Sequence, residues 1–277
     1  MAKTEIARAK INLTLHVGRI IEDPHDRFFG YHPLDSLVVF ADVGDEITIS
    51  DTDKTSLSID GPFGAGLTAG DDNLILRALA AAKSPPQFVA LKKNLPVSAG
   101  IGGGSANAAA VLRLCGVDDN EIAVGLGADV PVCLVSQTAH MTGIGEDVSL
   151  LPNMGLIHAV LVNPSVAVST GAIFKAFDSA PDIRETPRPM KPIGDLLERA
   201  LDGRNDLEPI AIVQAPIIGD VLRALASQAG CQLARMSGSG ATCFGIFETQ
   251  NGALKAEAAI KAHAPNWWVV ATALGEA

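Results

Sequence analysis

The chain has 277 residues, of which 48% are hydrophobic and 19% are charged, a composition typical of a globular protein with a substantial core. Its net charge of −10 argues against nucleic acid or an anionic membrane as the main partner, although a local cradle could still bind a small phosphate. The N-terminus lacks the apolar core of a signal peptide, and no apolar run is long enough to span a bilayer, so the sequence predicts a soluble cytoplasmic protein.

In the first half of the chain, alternating or apolar runs predict strands, and capped periodic runs predict helices. The predicted strands are residues 5–17, 37–40, 46–50, 53–60, 88–93, 139–145 and 147–150. The predicted helices are residues 74–82 after the cap Asp71-Asp72-Asn73, a helix that follows a glycine cluster and ends near Gly116, and a short helix capped by Asp118-Asp119.

Leu151-Pro152-Asn153 predicts a boundary between a domain of residues 1–150 and a domain of residues 151–277. Beyond it, the predicted strands are residues 156–162, 231–236, 243–247 and 268–273, and the predicted helices are residues 170–177, 194–200, 207–212, 217–229 and 253–264. Residues 181–192 hold four prolines and several charges, which is typical of a surface connection. Clusters of strands interleaved with helices in this way indicate an α+β fold rather than a regular βαβ series.

The four cysteines, Cys115, Cys133, Cys231 and Cys243, each lie in an apolar stretch. No two of them form a Cys-x-x-Cys pair, so the spacing argues against a zinc site or a disulfide framework. We expect buried free thiols.

The most informative segment is residues 96–106, PVSAGIGGGSA, which run into the alanine-rich sequence NAAAVLRL. Glycines let main-chain N–H groups approach a ligand closely, and the first turn of a helix adds unpaired donors, so the segment predicts a phosphate cradle. A P-loop would need a Gly-Lys pair after the cluster; a dinucleotide fingerprint or a nucleophile elbow would need a glycine at the position of Asn107. A glycine-rich turn that binds no ligand stays open as the alternative.

This segment resembles the second motif of the GHMP kinases, whose loop wraps the phosphates of ATP. Residues 9–13, AKINL, resemble the first motif, and residues 235–242, RMSGSGAT, resemble the third. Residues 7–15, 30–37, 72–75, 126–132 and 205–208 further resemble a member of the family that phosphorylates the 2-hydroxyl of a cytidine-diphosphate derivative of methylerythritol in the non-mevalonate isoprenoid pathway.

The resemblance implies a two-domain fold, with an N-terminal domain like ribosomal protein S5, a C-terminal ferredoxin-like domain and the active site in the cleft between them. It assigns Asp129 as the base that accepts the hydroxyl proton and Lys10 as its cationic partner, a pairing that suits phosphoryl transfer to an alcohol. The positions that match ATP-binding residues are Asn73, Lys93, Pro96, Val97, Ser98, Ala99, Gly100, Ile101, Gly102, Gly103, Gly104, Ser105, Ala106, Gly238, Ser239 and Gly240.

On the acceptor side, the resemblance places Tyr31 against the cytosine ring and His32 at its edge, with Phe174 as the opposing aromatic. Thr170 matches a residue that contacts the substrate, and Asn12 matches one that lines the substrate hydroxyls. The implied partners are therefore two small molecules, ATP and a cytidine diphosphate derivative. No cluster of carboxylates indicates a protein metal cage, so we expect Mg²⁺ to arrive with ATP and assign no metal ligands.

Several simpler interpretations stay open. Asp129 could be a helix cap, Lys10 an exposed strand lysine, Phe174 a core residue, and Lys93 a solvated strand end. The rival functions are another GHMP kinase, of the homoserine or mevalonate type, and a nucleotide-binding homologue without catalysis.

The sequence also departs from the family pattern at three places. Ala106 replaces a second serine, and the connection over residues 113–126 is short, which could displace Asp129. Phe28-Phe29 precedes the Gly30-Tyr31-His32 motif and suggests either lid packing or a subunit contact, which leaves a homodimer open.

Overall fold

The computed structural model describes residues 2–180, 186–189 and 194–276, so most of the predicted connection over residues 181–192 lies outside the described residues. The strands are β1 (Lys3–Asn12), β2 (His16–Val17), β3 (Leu34–Asp51), β4 (Ser56–Asp60), β5 (Gln87–Lys92), β6 (Ala139–Thr142), β7 (Asp147–Leu150), β8 (Leu156–Asn163), β9 (Cys231–Met236), β10 (Cys243–Phe247) and β11 (Trp268–Gly275). The helices are α1 (Leu74–Ala81), α2 (Gly103–Leu114), α3 (Asn120–Leu126), α4 (Val130–Val135), α5 (Thr170–Phe177), α6 (Leu196–Asp202), α7 (Glu208–Gln214), α8 (Ile217–Ala226) and α9 (Gln250–His263).

The largest difference from the predicted elements is in β3. Residues 37–40 and 46–50 are not two strands but parts of one strand of 18 residues, which pairs with β1, β2, β5, β6 and β11. Gly44-Asp45 does not break the strand, because Gly44 lies against β1: a Cβ at Gly44 would be 2.3 Å from the carbonyl oxygen of Ala7. The predicted strand over residues 5–17 is also interrupted, since β1 ends at Asn12 and β2 begins at His16.

The strands form one mixed sheet in the order β4-β5-β3-β11-β8-β10-β9, with β1, β2 and β6 also paired to β3. Pairing between β4 and β5 is parallel, and the other neighbours along this order are antiparallel.

The two halves of the sheet meet where Leu274 of β11 pairs with Ala41 of β3. At the same place the β1–β3 register shifts between Arg8 and Lys10. The Arg8 guanidinium donates to the carbonyl oxygens of Phe40, Ala41 and Gly275, at 3.0–3.1 Å, and so ties this irregularity to the end of β11.

Three apolar clusters hold the layers together. Val38 and Phe40 of β3 face a cluster with α1, α2, α3 and α4, whereas Leu37 and Val39 face a second cluster with α6 and the strands β8 and β10. This alternation follows from the two-residue period of a strand. A third cluster packs α5, α7, α8 and α9 against β8, β10 and β11. Both faces of the central strands are therefore buried.

The described residues include no helix with the length and apolar character needed to cross a membrane. Cys133 and Cys243 are buried free thiols, as predicted, and burial raises the pKa of the Cys133 thiol to about 12. For Cys115 and Cys231 the prediction of burial was wrong, since both are half-buried.

Candidate active site

A cleft of about 1360 Å³ is lined by segments from across the chain. They are the end of β1, the glycine loop (residues 96–106, which include the start of α2), one face of α5, and the glycine turn between β9 and β10 (residues 237–242). Chain segments from the beginning, middle and end of the sequence therefore meet at its walls. The glycine turn after β9 backs directly onto the glycine loop: a Cβ at Gly238 would be 2.6 Å from the Gly100 carbonyl oxygen. The Ser237 hydroxyl accepts from the Asn12 N–H and donates to the Gly100 carbonyl, both at 3.1 Å.

The glycine loop presents main-chain donors at the start of α2. Gly102 has φ 63°, in the left-handed region that favours glycine, and the first intrahelical bond runs from the Ala106 N–H to the Gly102 carbonyl. Within the described part of the chain, no group accepts from the N–H groups of Gly103, Gly104 or Ser105. These donors and the positive end of α2 make this wall of the cleft suitable for an anion.

Most of the residues predicted to bind ATP line this cleft. They are Asn73, Lys93, Pro96, Val97, Ser98, Ala99, Gly100, Gly102, Gly103, Gly104, Ser105, Gly238 and Ser239. The structure does not bring the other three to its walls. The side chains of Ile101 and Ala106 are only 1% and 2% exposed and pack into the apolar core, because the loop and helix turn those positions away from the cleft. Gly240 lies behind the turn, where a Cβ would meet the Met236 sulfur at 2.7 Å.

Lys10 and Asp129 form an ion pair in the cleft, with 3.1 Å between Lys10 Nζ and Asp129 Oδ2. Lys10 is 3% exposed and also donates to Asn12 Oδ1 at 2.8 Å, so the interpretation as an exposed strand lysine is wrong. Asp129 lies at the first position before α4, yet its side chain makes no capping hydrogen bond. The carboxylate therefore points to Lys10 rather than to the helix. The short connection over residues 113–126 still delivers Asp129 to this position.

Lys93 forms a buried ion pair with Asp45 beneath the glycine loop. Lys93 is 4% exposed, so it is not a solvated strand end. Burial lowers the pKa of its ammonium group, and the adjacent carboxylate of Asp45 acts in the opposite direction. Asp45 also accepts from the N–H groups of Asn94 and Leu95 at 2.8 Å, which fixes the chain as it enters the loop. Asn73 caps α1 through a 3.0 Å bond from the Ile75 N–H.

The residues predicted on the acceptor side line the same cleft. Tyr31 is 53% exposed and His32 is buried, and both line the cleft. The rings of His32 and Phe174 lie 4.8 Å apart, so Phe174 packs on the histidine while it also contacts the core cluster beneath α5. Thr170 shares a 2.8 Å hydrogen bond with Ser239, which also lines the cleft. Asn12 donates to Ser36 Oγ at 2.8 Å and accepts from Lys10, which fixes its side chain at the base of the site.

Sequence reasoning missed three polar residues of this region. Asp45 follows a glycine between the two strands predicted over residues 37–40 and 46–50, and Asp178 comes after the last residue of α5. Asn107 lines the cleft with a buried Oδ1 that has no hydrogen-bond partner in the described residues. One signal was available, since Asn107 is a single polar residue in an apolar helix face. The described residues hold no group of three His, Cys, Asp or Glu side chains placed for a metal ion.

Phe28 lies under the Arg27 guanidinium, which is 4.3 Å from the ring centroid, and Phe29 is exposed. Neither phenylalanine lines the cleft among the residues that the structure describes. The homodimer stays a prediction.

Comparison with known proteins relates this geometry to a family. The model of the GHMP kinases N-terminal domain matches residues 73–137, and that of the GHMP kinases C-terminal domain matches residues 179–266. The chain is 49% identical to the 4-diphosphocytidyl-2-C-methyl-D-erythritol kinase of Paracoccus denitrificans, over 99% of this chain and 98% of that protein. It is 48% identical to the enzyme of the same name from Ruegeria pomeroyi, over 97% and 98%. A crystal structure of 4-(cytidine 5′-diphospho)-2C-methyl-D-erythritol kinase superposes with a TM-score of 0.80 at 30% identity, over 99% of this chain and all of that one.

Two relatives that are nearly half identical over almost the whole chain, and family models for both parts of it, agree with the predicted α+β fold. The chain therefore belongs to the GHMP kinases.

Proposed function

We propose that this chain transfers the γ-phosphoryl group of ATP to the 2-hydroxyl of 4-diphosphocytidyl-2-C-methyl-D-erythritol, which gives the 2-phosphate and ADP in the non-mevalonate pathway to isoprenoids. The observation that carries the proposal is the Lys10–Asp129 pair beside the glycine loop, in a chain 48–49% identical to enzymes with this name. An alcohol needs a base and a cation to react with a phosphoryl group, and this pair supplies both.

In the proposed mechanism, the N–H groups at the start of α2 hold the phosphates of ATP and the Asp129 carboxylate accepts a hydrogen bond from the 2-hydroxyl. As the hydroxyl oxygen bonds to the γ-phosphorus, its proton passes to Asp129 and the bond to the β–γ bridging oxygen breaks, releasing ADP. Lys10 orients the Asp129 carboxylate through their ion pair and offsets negative charge around the γ-phosphoryl group. Lys10 is itself held by Asn12 Oδ1, so its ammonium group is oriented before substrate arrives.

The cleft also suits the Mg²⁺ that we propose ATP carries. Its walls offer oxygen donors of the type that Mg²⁺ prefers: the Ser105 hydroxyl, the Asp129 carboxylate and Asn107 Oδ1, the last buried and without a hydrogen-bond partner among the described residues. When bound, Mg²⁺ would neutralise charge on the β- and γ-phosphates. The exposed Tyr31 is proposed to stack on cytosine, and His32 to hydrogen-bond to its edge, with Phe174 and Thr170 completing that wall.

We also propose the division into domains of residues 1–150 and 151–277. One apolar cluster draws only on residues 7–148, and another draws mainly on residues 160–271, which supports two cores. A cytoplasmic location is proposed because ATP is available there and the four free cysteines would stay reduced.

The test is incubation of the purified chain with Mg²⁺, ATP and 4-diphosphocytidyl-2-C-methyl-D-erythritol, with ADP measured by a coupled assay and the 2-phosphate by ³¹P NMR. Asp129→Asn keeps a hydrogen-bond acceptor beside Lys10 but removes the base, so we expect kcat to fall about 10²- to 10⁴-fold. The matched control is Asp119→Asn, which changes a carboxylate that caps α3 through 2.9 Å and 3.3 Å bonds.

Two outcomes would contradict the proposed function, and a third would contradict only the role of Asp129. Turnover of homoserine or mevalonate in place of the cytidine compound would indicate another GHMP kinase. Binding of ATP with no acceptor phosphorylated would indicate a homologue without catalysis. If Asp129→Asn turned over at the wild-type rate, the function would stand, but the role of Asp129 as base would not.

A further inference from the structure

The side chain of His32 is fixed by one helix. The ring of Phe174 packs against it with 4.8 Å between the ring centroids. The ring of Phe177 meets it edge-on with 6.1 Å between the centroids. The third contact is polar: Asp178 Oδ1 lies 2.7 Å from His32 Nε2. All three residues belong to α5 or to the residue that ends it. The ring of His32 therefore has a set orientation in the wall of the cleft.

The contact with Asp178 also sets which ring nitrogen carries hydrogen. An ionised carboxylate can only accept a hydrogen bond, so His32 Nε2 must donate, and Nδ1 of the neutral imidazole is then left with a lone pair. Among the described residues nothing hydrogen-bonds to Nδ1, which is not among the fully buried polar atoms, and His32 is one of the residues that line the cleft. His32 is thus prepared to accept a hydrogen bond from a ligand rather than to donate one.

Considered without its contact to His32, the Asp178 carboxylate would destabilise the end of α5. It occupies the C-terminal cap of α5, where the partial negative charge of the helix end disfavours a carboxylate. Its side chain is 30% exposed, so it is not a group that the core forces into place. The contact that accounts for a carboxylate at this position is the one with His32.

We propose that Asp178 is a positioning residue that makes the site selective for cytosine over uracil. With Nδ1 held as an acceptor, His32 can pair with the exocyclic amino group of cytosine, whereas uracil presents a carbonyl oxygen at the same position and leaves two acceptors facing each other. The inference rests on the proposed function, because it assumes that the base of the acceptor substrate binds beside His32.

The experiment compares the binding of cytidine 5′-diphosphate and uridine 5′-diphosphate by calorimetry at pH 8, above the ordinary pKa of histidine. The wild-type chain is expected to prefer the cytidine nucleotide about tenfold or more. In Asp178→Ala the ring is free to turn and to change its tautomer, so the preference should fall to about threefold or less. Asp178→Asn can still accept from Nε2 through its amide oxygen, and should restore part of the preference. Asp220→Asn, which alters an exposed carboxylate on α8, is the control.

A second measurement does not depend on any variant folding. The ¹⁵N shifts of His32 in the wild-type chain should be those of the Nε2–H tautomer. The Nδ1–H tautomer would overturn the proposal, as would equal affinity of the wild type for the two nucleotides or an unchanged preference in Asp178→Ala. These outcomes leave the proposed function intact if the cytidine substrate is still phosphorylated. Failure of the wild type to bind either nucleotide would overturn the selectivity proposal alone, and failure to phosphorylate that substrate would remove both.

Discussion

Lys10 shows how a buried charge is kept at a reactive position. Its ammonium group lies at the wall of the cleft and has two acceptors, Asn12 Oδ1 and Asp129 Oδ2. A buried ammonium without acceptors would destabilise the fold, so these two contacts offset the cost of burying Lys10 in the wall of the cleft. Lys93 is likewise paired with Asp45 beneath the glycine loop. Both lysines are therefore held by short-range contacts before any ligand binds.

His16 gives a prediction about pH at the scale of one residue. Its Nε2 accepts from the Arg204 N–H at 3.2 Å, its Nδ1 contacts the Arg188 carbonyl, and burial lowers its pKa below the ordinary value of 6.5. As the pH falls through about 6.5 the unfolded chain binds a proton that the folded chain resists, so the free energy of unfolding should decrease. In His16→Asn the decrease between pH 7.5 and 5.5 should be smaller, as measured by urea unfolding.

The control for that measurement is His25→Gln, which changes an exposed loop histidine and should leave the slope of stability against pH unchanged. A wild-type stability that rises on acidification over this range, or an identical slope in His16→Asn, would contradict the assignment.

At the scale of elements, the glycine turn between β9 and β10 supports the glycine loop before α2. Gly238 has φ 55°, and a Cβ there would lie 2.6 Å from the Gly100 carbonyl oxygen, so neither its conformation nor its space suits another residue. Asn205 strengthens the turn, since its Nδ2 donates to the carbonyls of Met236 and Gly238 at 2.8 Å. Two segments far apart in sequence thus form one wall.

Gly238→Ala is expected to lower the free energy of unfolding by about 2–4 kcal/mol, from left-handed strain and overpacking together. Because the displaced neighbour is the glycine loop, the KM for ATP should rise as well. The matched control is Gly125→Ala in α3, where the added Cβ meets nothing within 4 Å and should stabilise the helix by up to about 1 kcal/mol. A Gly238→Ala chain with wild-type stability and KM would show that the two turns are not coupled.

The sequence predicted the elements and motifs well where local signals were strong. Asn73 caps α1 and Ser169 caps α5 as their residue types indicate, and the paired strands β9 and β10 were predicted with their bounds. It failed where a distant partner decides the outcome. Gly44 continues β3 because it fits against Ala7, and Asp129 leaves its helix uncapped because Lys10 is near. Asp178 carries no motif, so only the folded chain reveals its contact with His32.

For the molecule as a whole, the contact between the glycine loop and the glycine turn predicts that both halves unfold together. The two tryptophans, Trp267 and Trp268, lie in the C-terminal half, whereas far-UV circular dichroism reports the helices of both halves. Urea unfolding followed by fluorescence and by dichroism should therefore give one midpoint. A hundredfold excess of ATP over its Kd should raise the stability seen by both probes by about 2.7 kcal/mol. Separate midpoints, or a shift in the dichroism curve alone, would mean that the halves are independent.

The Arg8 guanidinium reaches the Gly275 carbonyl across 267 positions of sequence, and the Asn12 N–H reaches Ser237 across 225. A chain leaves the ribosome from its N-terminus. The two hydrogen bonds from β1 therefore cannot form until almost the whole chain has been synthesised. A nascent fragment that stops before residue 231 would carry Lys10, Asp129 and the glycine loop but not the turn behind them. We therefore expect incomplete chains to lack phosphoryl transfer, since the turn between β9 and β10 forms part of the cleft.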